Sequence, residues 1–393
     1  MLRLVSRWRV FGVLVGCVLL LGAAAPPQPA ASCDAGSVRM RAVWIATVSN
    51  TDWPSKPGLD VADQQREYRA ILDNAVRMRL NTVIVQVRPT ADALWPSRFE
   101  PWSQWLTGTQ GRDPGYDPLA FLISEAHARG LAFHAWFNPF RVSKQADPAQ
   151  LVPSHPARVH PDWVFSYGGG LYYNPGLPEV REFVTNAVMD AVQRYDVDAV
   201  HFDDYFYPYP KSGEPIPDGG VSADQRRANI DQFVKGMAAR IHATKPGVKF
   251  GISPFGIWRN RADDQRGSAT SGITSYDTTY ADTFTWIKNK WIDYVVPQVY
   301  WEIGHPSADY AKLVPWWAGA VGGSGVDLYI GQAAYKVGSS PAWDDAELAE
   351  HLSLNRSHPA VHGDVFFSAK SLTTNAAAAM DRVAAEQYTG CAG

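Results

Sequence analysis

The chain has 393 residues, a formal net charge of −3 and 46% hydrophobic residues. That length suits one large domain or two ordinary ones, and a near-neutral charge gives no electrostatic case for a nucleic-acid partner. Aromatics are plentiful, at 15 Trp, 17 Tyr and 16 Phe. Core packing takes many of them, and the excess of Trp leaves room for platforms on which sugar rings stack.

Residues 1–32 read as a targeting segment. Arg3, Arg7 and Arg9 form a basic start, Val10 to Leu21 an apolar stretch, and Ala23-Ala24-Ala25 or Ala30-Ala31-Ser32 a small-residue cleavage site. The apolar run is short for a spanning helix. A secretory signal is therefore expected rather than an uncleaved anchor, with no stable membrane insertion after cleavage. Residues 33–393 are then expected to form one domain. Of the three cysteines, Cys17 lies in the leader, and Cys33 and Cys391 stand at the two ends of the mature chain. In an exported protein such a pair reads as one disulfide. Lipidation of Cys33 is the alternative, although Pro26-Pro27-Gln28-Pro29 separates it from the apolar run.

From there the chain alternates regularly. Strand-like runs are Arg41–Val48, Thr82–Arg88, Leu131–Asn138, Ala199–Tyr205, Lys249–Phe255, Tyr294–Trp301, Asp327–Ala334 and Asp364–Ala369. Helical patterns lie between them at Asp63–Arg79, Pro118–Arg129, Pro178–Tyr195, Asp224–Thr244, Asp282–Lys290, Ala308–Ala320 and Asp345–Asn355, and Asn375–Glu386 closes the series. In Pro178–Tyr195 the residues Val180, Phe183, Val184, Ala187, Val188, Ala191, Val192 and Tyr195 form one buried stripe. Eight such alternations predict an α/β fold, a (β/α)8 TIM barrel with long loops on its catalytic face. No Gly-x-Gly-x-x-Gly follows a strand, so no dinucleotide or other cofactor is expected.

In this architecture chemistry sits at the C-terminal ends of the strands. Ala199-Val-His-Phe-Asp-Asp-Tyr205 is an apolar run ending in two acids, which is costly unless the charges meet water or a ligand. Strand alternation puts His201, Asp203 and Tyr205 on one face, with Asp204 at the rim. By the same rule Gln86 shares a face with Arg88, and Gln298 with Tyr300 and Glu302; Trp136 and Asn138 end the third strand. Glycoside cleavage needs one protonated and one ionised carboxyl. Asp203, Asp204 and Glu302 are the candidates, with Arg88 near Asp203 to hold one acid ionised. Trp95, Trp136, Tyr172, Trp258 and Trp301 are expected to line the cleft as sugar platforms. His201-x-Asp203-Asp204 could in principle bind a metal, but no His-x-His or His-Glu-x-x-His accompanies it. An orienting histidine is the better reading, and no metal is expected.

Arg41-Ala-Val-Trp-Ile, Asn81-Thr-Val-Ile-Val-Gln-Val-Arg88, His134-Ala-Trp-Phe-Asn-Pro139, His201-Phe-Asp-Asp-Tyr205, Gly251-Ile-Ser-Pro-Phe-Gly256 and Pro297-Gln-Val-Tyr-Trp301 together resemble the glycosyl-hydrolase-like family ten of bacterial exported proteins. The resemblance runs from about Arg39 to Thr373. It implies a (β/α)8 barrel, and a cell-envelope activity on peptidoglycan glycan strands that lack stem peptides, centred on His201–Tyr205. Hydrolysis of another extracellular polysaccharide, or a barrel that only binds glycans, remain the competing expectations.

Overall fold

The computed structural model describes residues 39–388 apart from 212 and 375. Eight parallel strands close into a barrel: β1 Met40–Ile45, β2 Thr82–Arg88, β3 Ala132–Phe137, β4 Ala199–Phe202, β5 Lys249–Ile252, β6 Tyr294–Val295, β7 Asp327–Gln332 and β8 Val361–Phe366. Each strand pairs with its chain neighbours, and β1 closes on β8. The main helices are α1 Val61–Arg77, α2 Pro118–His127, α3 Pro178–Arg194, α4 Ala223–Thr244, α5 Thr283–Lys288, α6 Tyr310–Val321, α7 Glu347–Arg356 and α8 Ala377–Glu386. None of the helices among the described residues is long and apolar enough to cross a membrane. Cys33 and Cys391, and the leader, lie outside the described residues.

Local chemistry sets the helix starts. Asp60, Asp117 and Ser222 cap α1, α2 and α4 by accepting the N–H of Asp63, Ala120 and Gln225. Pro178 opens α3, where a missing N–H costs nothing. Val180, Val184, Ala187, Val188, Ala191 and Val192 are buried against the barrel. Each of the larger ones contributes roughly 1.5–3 kcal/mol of transfer free energy.

The barrel interior is filled from the base upward. Met40, Ala42 and Trp44 of β1, Ile84, Trp136, Ala199, Tyr294, Tyr329 and Val365 form an inner cluster distinct from the strand–helix layer. Tyr294 takes so much of this space that a Cβ on Gly251 would stand 2.1 Å from its ring. Glycine at 251 is therefore a packing requirement.

All the strands but β2 end before their apolar runs predict, and on β4, β5 and β6 the local reason is plain. On β4 the ladder stops at Phe202, because the Asp203 Oδ1 accepts the Tyr205 N–H at 3.1 Å and turns the chain. Pro254 follows directly on the Ser253 N–H, which bonds the Phe202 carbonyl, and β5 goes no further. On β6 only Tyr294–Val295 form ladder, since Pro297 has no N–H to donate; single bridges at Gln298 to Phe255 and Gly331 carry the chain onward.

Candidate active site

The loops after the strands enclose a cavity of about 240 Å³ at the C-terminal mouth. Trp44, Trp136, Tyr205, Tyr300, Tyr335 and Phe367 supply its aromatic walls. Asp203 and Asp204 are the two carboxylates that line it, with Gln86, Gln298, Ser253 and Arg141 as further polar groups.

The two acids are held differently. Asp203 Oδ2 accepts the Trp136 Nε1–H and the Asn138 Nδ2–H, both at 3.0 Å, while Oδ1 accepts the Tyr205 N–H. All three partners donate and cannot accept. Asp204 Oδ1 accepts the Gln298 Nε2–H at 3.0 Å, and its Oδ2 meets the Tyr209 hydroxyl, which can donate or accept. Asp204 does not stand at the rim, as alternation along an ideal strand predicts. The turn that begins at Asp203 swings it into the cavity, where it is buried. Burial, then the Asp204 charge, pushes the Asp203 carboxyl up to about 7. Burial also raises Asp204, against the hydrogen bonds from Tyr209 and Gln298. Two like charges on adjacent buried residues are costly, so the pair retains one proton near neutral pH. The three N–H donors hold the negative charge on Asp203 and leave the proton to Asp204.

Beneath the pair, His201 is an orienting group. Its Nε2 accepts the Trp44 indole N–H at 3.2 Å, so its proton sits on Nδ1 and is donated to the Tyr294 hydroxyl at 3.1 Å. That hydroxyl then donates to His134 Nδ1 at 3.0 Å. Burial pushes His134 down to about 4 and His201 well below its ordinary value, so both rings are neutral. The chain of bonds locks the floor of the cavity without placing a charge in it.

Several expectations need correction. Arg88 does not approach Asp203. A bulge between Gln86 and Arg88 shifts the phase of β2 by one residue, so that Gln86 pairs with inward Trp136 but Arg88 with outward Phe137. Arg88 is fully buried behind the strand, where Nε and Nη2 bond Glu100 at 2.6 and 2.5 Å and Nη1 donates to the Asn138 and Pro139 carbonyls. Trp95 and Trp258 are core residues, not platforms. Trp95 packs on Phe137 and donates to Asp190, and Trp258 donates to Asp282 and stacks on Trp316. The loops that carry them fold down over the helical layer instead of up around the mouth. Glu302 stands outside the cavity wall and accepts the Trp343 Nε1–H at 3.0 Å. Tyr172 packs on Phe165 opposite Arg141 in a small antiparallel sheet, and Trp301 lies edge-on to Phe255; neither is part of the wall. Trp136, Asn138, His201, Tyr205, Gln298 and Tyr300 do converge on or directly behind the cavity.

Sequence reading missed Tyr209 and Arg141. Arg141 comes from the three-stranded sheet of Arg141–Ser143, Val164–Tyr167 and Gly170–Tyr173, inside a loop that carried no strand signal. Its backbone N–H bonds the Asn138 Oδ1 at 2.9 Å, and its guanidinium lies 4.8 Å from the Tyr205 ring centre. The proximity of Arg141 to Asn138 in sequence was the available clue.

Residues 39–349 match the family described as glycosyl hydrolase-like 10. The chain belongs to that family. It is 50% identical over 366 residues to the glycosyl hydrolase YngK of Bacillus subtilis, covering 89% of this chain and 72% of the relative. The glycosyl hydrolase DigH of Escherichia coli is 40% identical over 374 residues, covering 86% and 85%. Among solved structures, the PgaB (BpsB) glycoside hydrolase domain from Bordetella bronchiseptica superposes with a TM-score of 0.55 at 14% identity, over 87% of this chain and 98% of that one. An endo-1,4-beta-mannanase from Rhizomucor miehei gives 0.57 at 11%, over 89% and 97%. The structural likenesses show the barrel fold; the family and its close relatives make this chain a glycoside hydrolase.

Proposed function

We propose that this chain is an exported hydrolase of amino-sugar glycan strands, peptidoglycan without stem peptides foremost, and that Asp203 and Asp204 carry the reaction. The observation that carries the reading is the pair itself: two buried, adjacent carboxyls sharing one proton at the floor of an aromatic cavity. Aromatic walls with a few fixed polar groups suit a sugar. The basic and apolar leader, residues 1–32, supports export.

Both acids come from one strand end, and Glu302 is turned to Trp343. The usual arrangement of a second carboxylate across the scissile bond is thus missing from the cavity wall. A reaction assisted by the sugar's own 2-acetamido group fits this one-sided pair. The acetamido oxygen bonds to C1 as the C1–O glycosidic bond breaks, and the leaving oxygen takes the proton of Asp204. Ionised Asp203, fixed by its three donors, stabilises the acetamido N–H as positive charge develops. Water then attacks C1, returns a proton to Asp204 and reopens the acetamido ring, with configuration retained. The test is mass spectrometry and NMR of products from amidase-treated and untreated peptidoglycan. Products from the treated strands alone, with retained configuration, are expected. Inverted products would remove the acetamido route, and no cleavage of either strand would remove the reading.

A further inference from the structure

Two hydrogen-bond donors in the cavity wall have no acceptor. The Gln86 Oε1 accepts the N–H groups of Thr47 and Val48 at 3.1 and 2.9 Å. Those partners only donate, so the orientation of the amide is fixed and its Nε2 is the free end. That Nε2 is buried and unpartnered. The Arg141 Nε is likewise buried and unpartnered. Among the described residues the side-chain hydrogen bond of Arg141 runs from Nη2 to the Pro89 carbonyl at 3.3 Å, and no carboxylate is in close ion-pair contact with it; its charge lowers Asp203 and Asp204 from further off. An arginine packed inside a fold is ordinarily closed by a carboxylate, as Arg88 is by Glu100 behind β2. Here a cation and an amide N–H face the same space with only donors to offer, and the complementary group is an acceptor with negative charge.

We infer that Gln86 and Arg141 form a subsite for a carboxylate carried by the sugar, and that this subsite makes the enzyme prefer strands whose sugar carboxyl is free. The inference rests on the glycan-hydrolase reading and gives it a physical selector. A stem peptide is joined to the lactyl ether of muramic acid through an amide. Removing the peptide at that bond leaves a carboxylate, so the strand gains a negative charge where it loses bulk. A neutral amide cannot meet the guanidinium in the same way, and a peptide beyond it would have to pass the cavity wall. The Tyr205 ring, its centre 4.8 Å from the guanidinium carbon, steadies the cation in the wall.

The experiment compares kcat/KM of the full mature chain on three substrates. They are a peptide-free strand, the same strand with its lactyl carboxyls converted to methylamides, and an oligomer alternating N-acetylglucosamine with glucuronic acid, whose carboxylate sits on the ring. Wild type is expected to favour the free acid over the methylamide by ~10–100-fold, the range of one charge-assisted bidentate contact. Arg141→Gln should bring that ratio close to one, with the loss falling mainly on KM, and Arg141→Lys should keep part of it. Gln86→Glu keeps the acceptor for Thr47 and Val48 but places a negative charge at the free end, so it should lower the ratio too. Equal cleavage of acid and methylamide by wild type would overturn the subsite while leaving the hydrolase intact, and needs no variant to fold. An equal fall on both strands in Arg141→Gln would also overturn it, making Arg141 a support for the acids. Arg141-dependent cleavage of the uronate oligomer, in preference to the lactyl strand, keeps the carboxylate subsite and assigns it to uronate. Failure to cleave any of the three overturns the hydrolase reading itself.

Discussion

Two sets of buried charges, one behind β2 and one inside the barrel mouth, behave in opposite ways. Behind β2, Arg88 and Glu100 are each fully buried, joined by two hydrogen bonds, and the remaining guanidinium donor is taken by two carbonyls. Inside the mouth, Asp203 and Asp204 are buried side by side, and among the described residues Arg141 acts on them only from beyond close ion-pair contact, its Nε left without an acceptor. The first set is complete, so it can only hold structure together. The second is incomplete on both signs of charge, and a ligand or a proton must complete it. Completeness of hydrogen bonding, rather than burial or charge, separates structural ions from functional ones here.

The comparison is broken most directly at the acids. Asp204→Asn removes the retained proton and is expected to lower turnover on peptide-free strands by about 10²–10⁴-fold, with folding unchanged by circular dichroism. Asp203→Asn should fall in the same range, with substrate binding retained in both. Near-normal turnover in both variants would remove the centre and favour a barrel that only binds glycans.

At the complete pair the effect should be on stability. Arg88→Met leaves Glu100 buried and alone, at a cost of roughly 3–5 kcal/mol, while adding Glu100→Leu should recover much of it. Thermal unfolding of the single and double variants decides this; a lone Arg88→Met that unfolds like wild type would refute it. Trp258→Ala belongs to the same class. Cavity formation should cost about 3–5 kcal/mol, with oligosaccharide affinity of the folded protein unchanged. Weakened affinity with little change in midpoint would instead return Trp258 to the cleft.

The pH dependence sharpens the contrast. Asp203 titrates together with Asp204, and the one proton the pair retains holds the Asp203 value up to about 7, above the ordinary 3.8. Such a group favours the folded state at low pH, and that contribution is lost as pH rises from about 4 through about 7. Between pH 4 and pH 8 the melting temperature of wild type should therefore fall more than that of Asp203→Asn. Equal falls would mean that the pair retains no proton in the folded state. The smallest effect is expected at Glu302→Gln, within about twofold to threefold of wild-type turnover, since its partner is Trp343 and it lies outside the cavity. A loss comparable to that of Asp204→Asn would bring Glu302 back as a catalytic partner.

The sequence by itself determined the barrel. Eight apolar runs separated by amphipathic segments admit few other closed solutions, and β2 runs from Thr82 to Arg88 as its pattern predicts. It also determined that Asp203 and Asp204 end a buried strand, with Trp136, Asn138, Gln298 and Tyr300 at neighbouring strand ends, because period-two alternation holds wherever the ladder is regular. Tertiary structure decided the rest, at the places where regularity fails. One extra residue in β2 turned Arg88 outward. One side-chain hydrogen bond at Asp203 turned Asp204 inward. Long loops carry no periodicity, so composition could not tell whether their tryptophans roof the cavity or pack against helices. Trp95 and Trp258 found partners in Asp190 and Asp282, acids far along the chain, and only the folded chain brings such groups together.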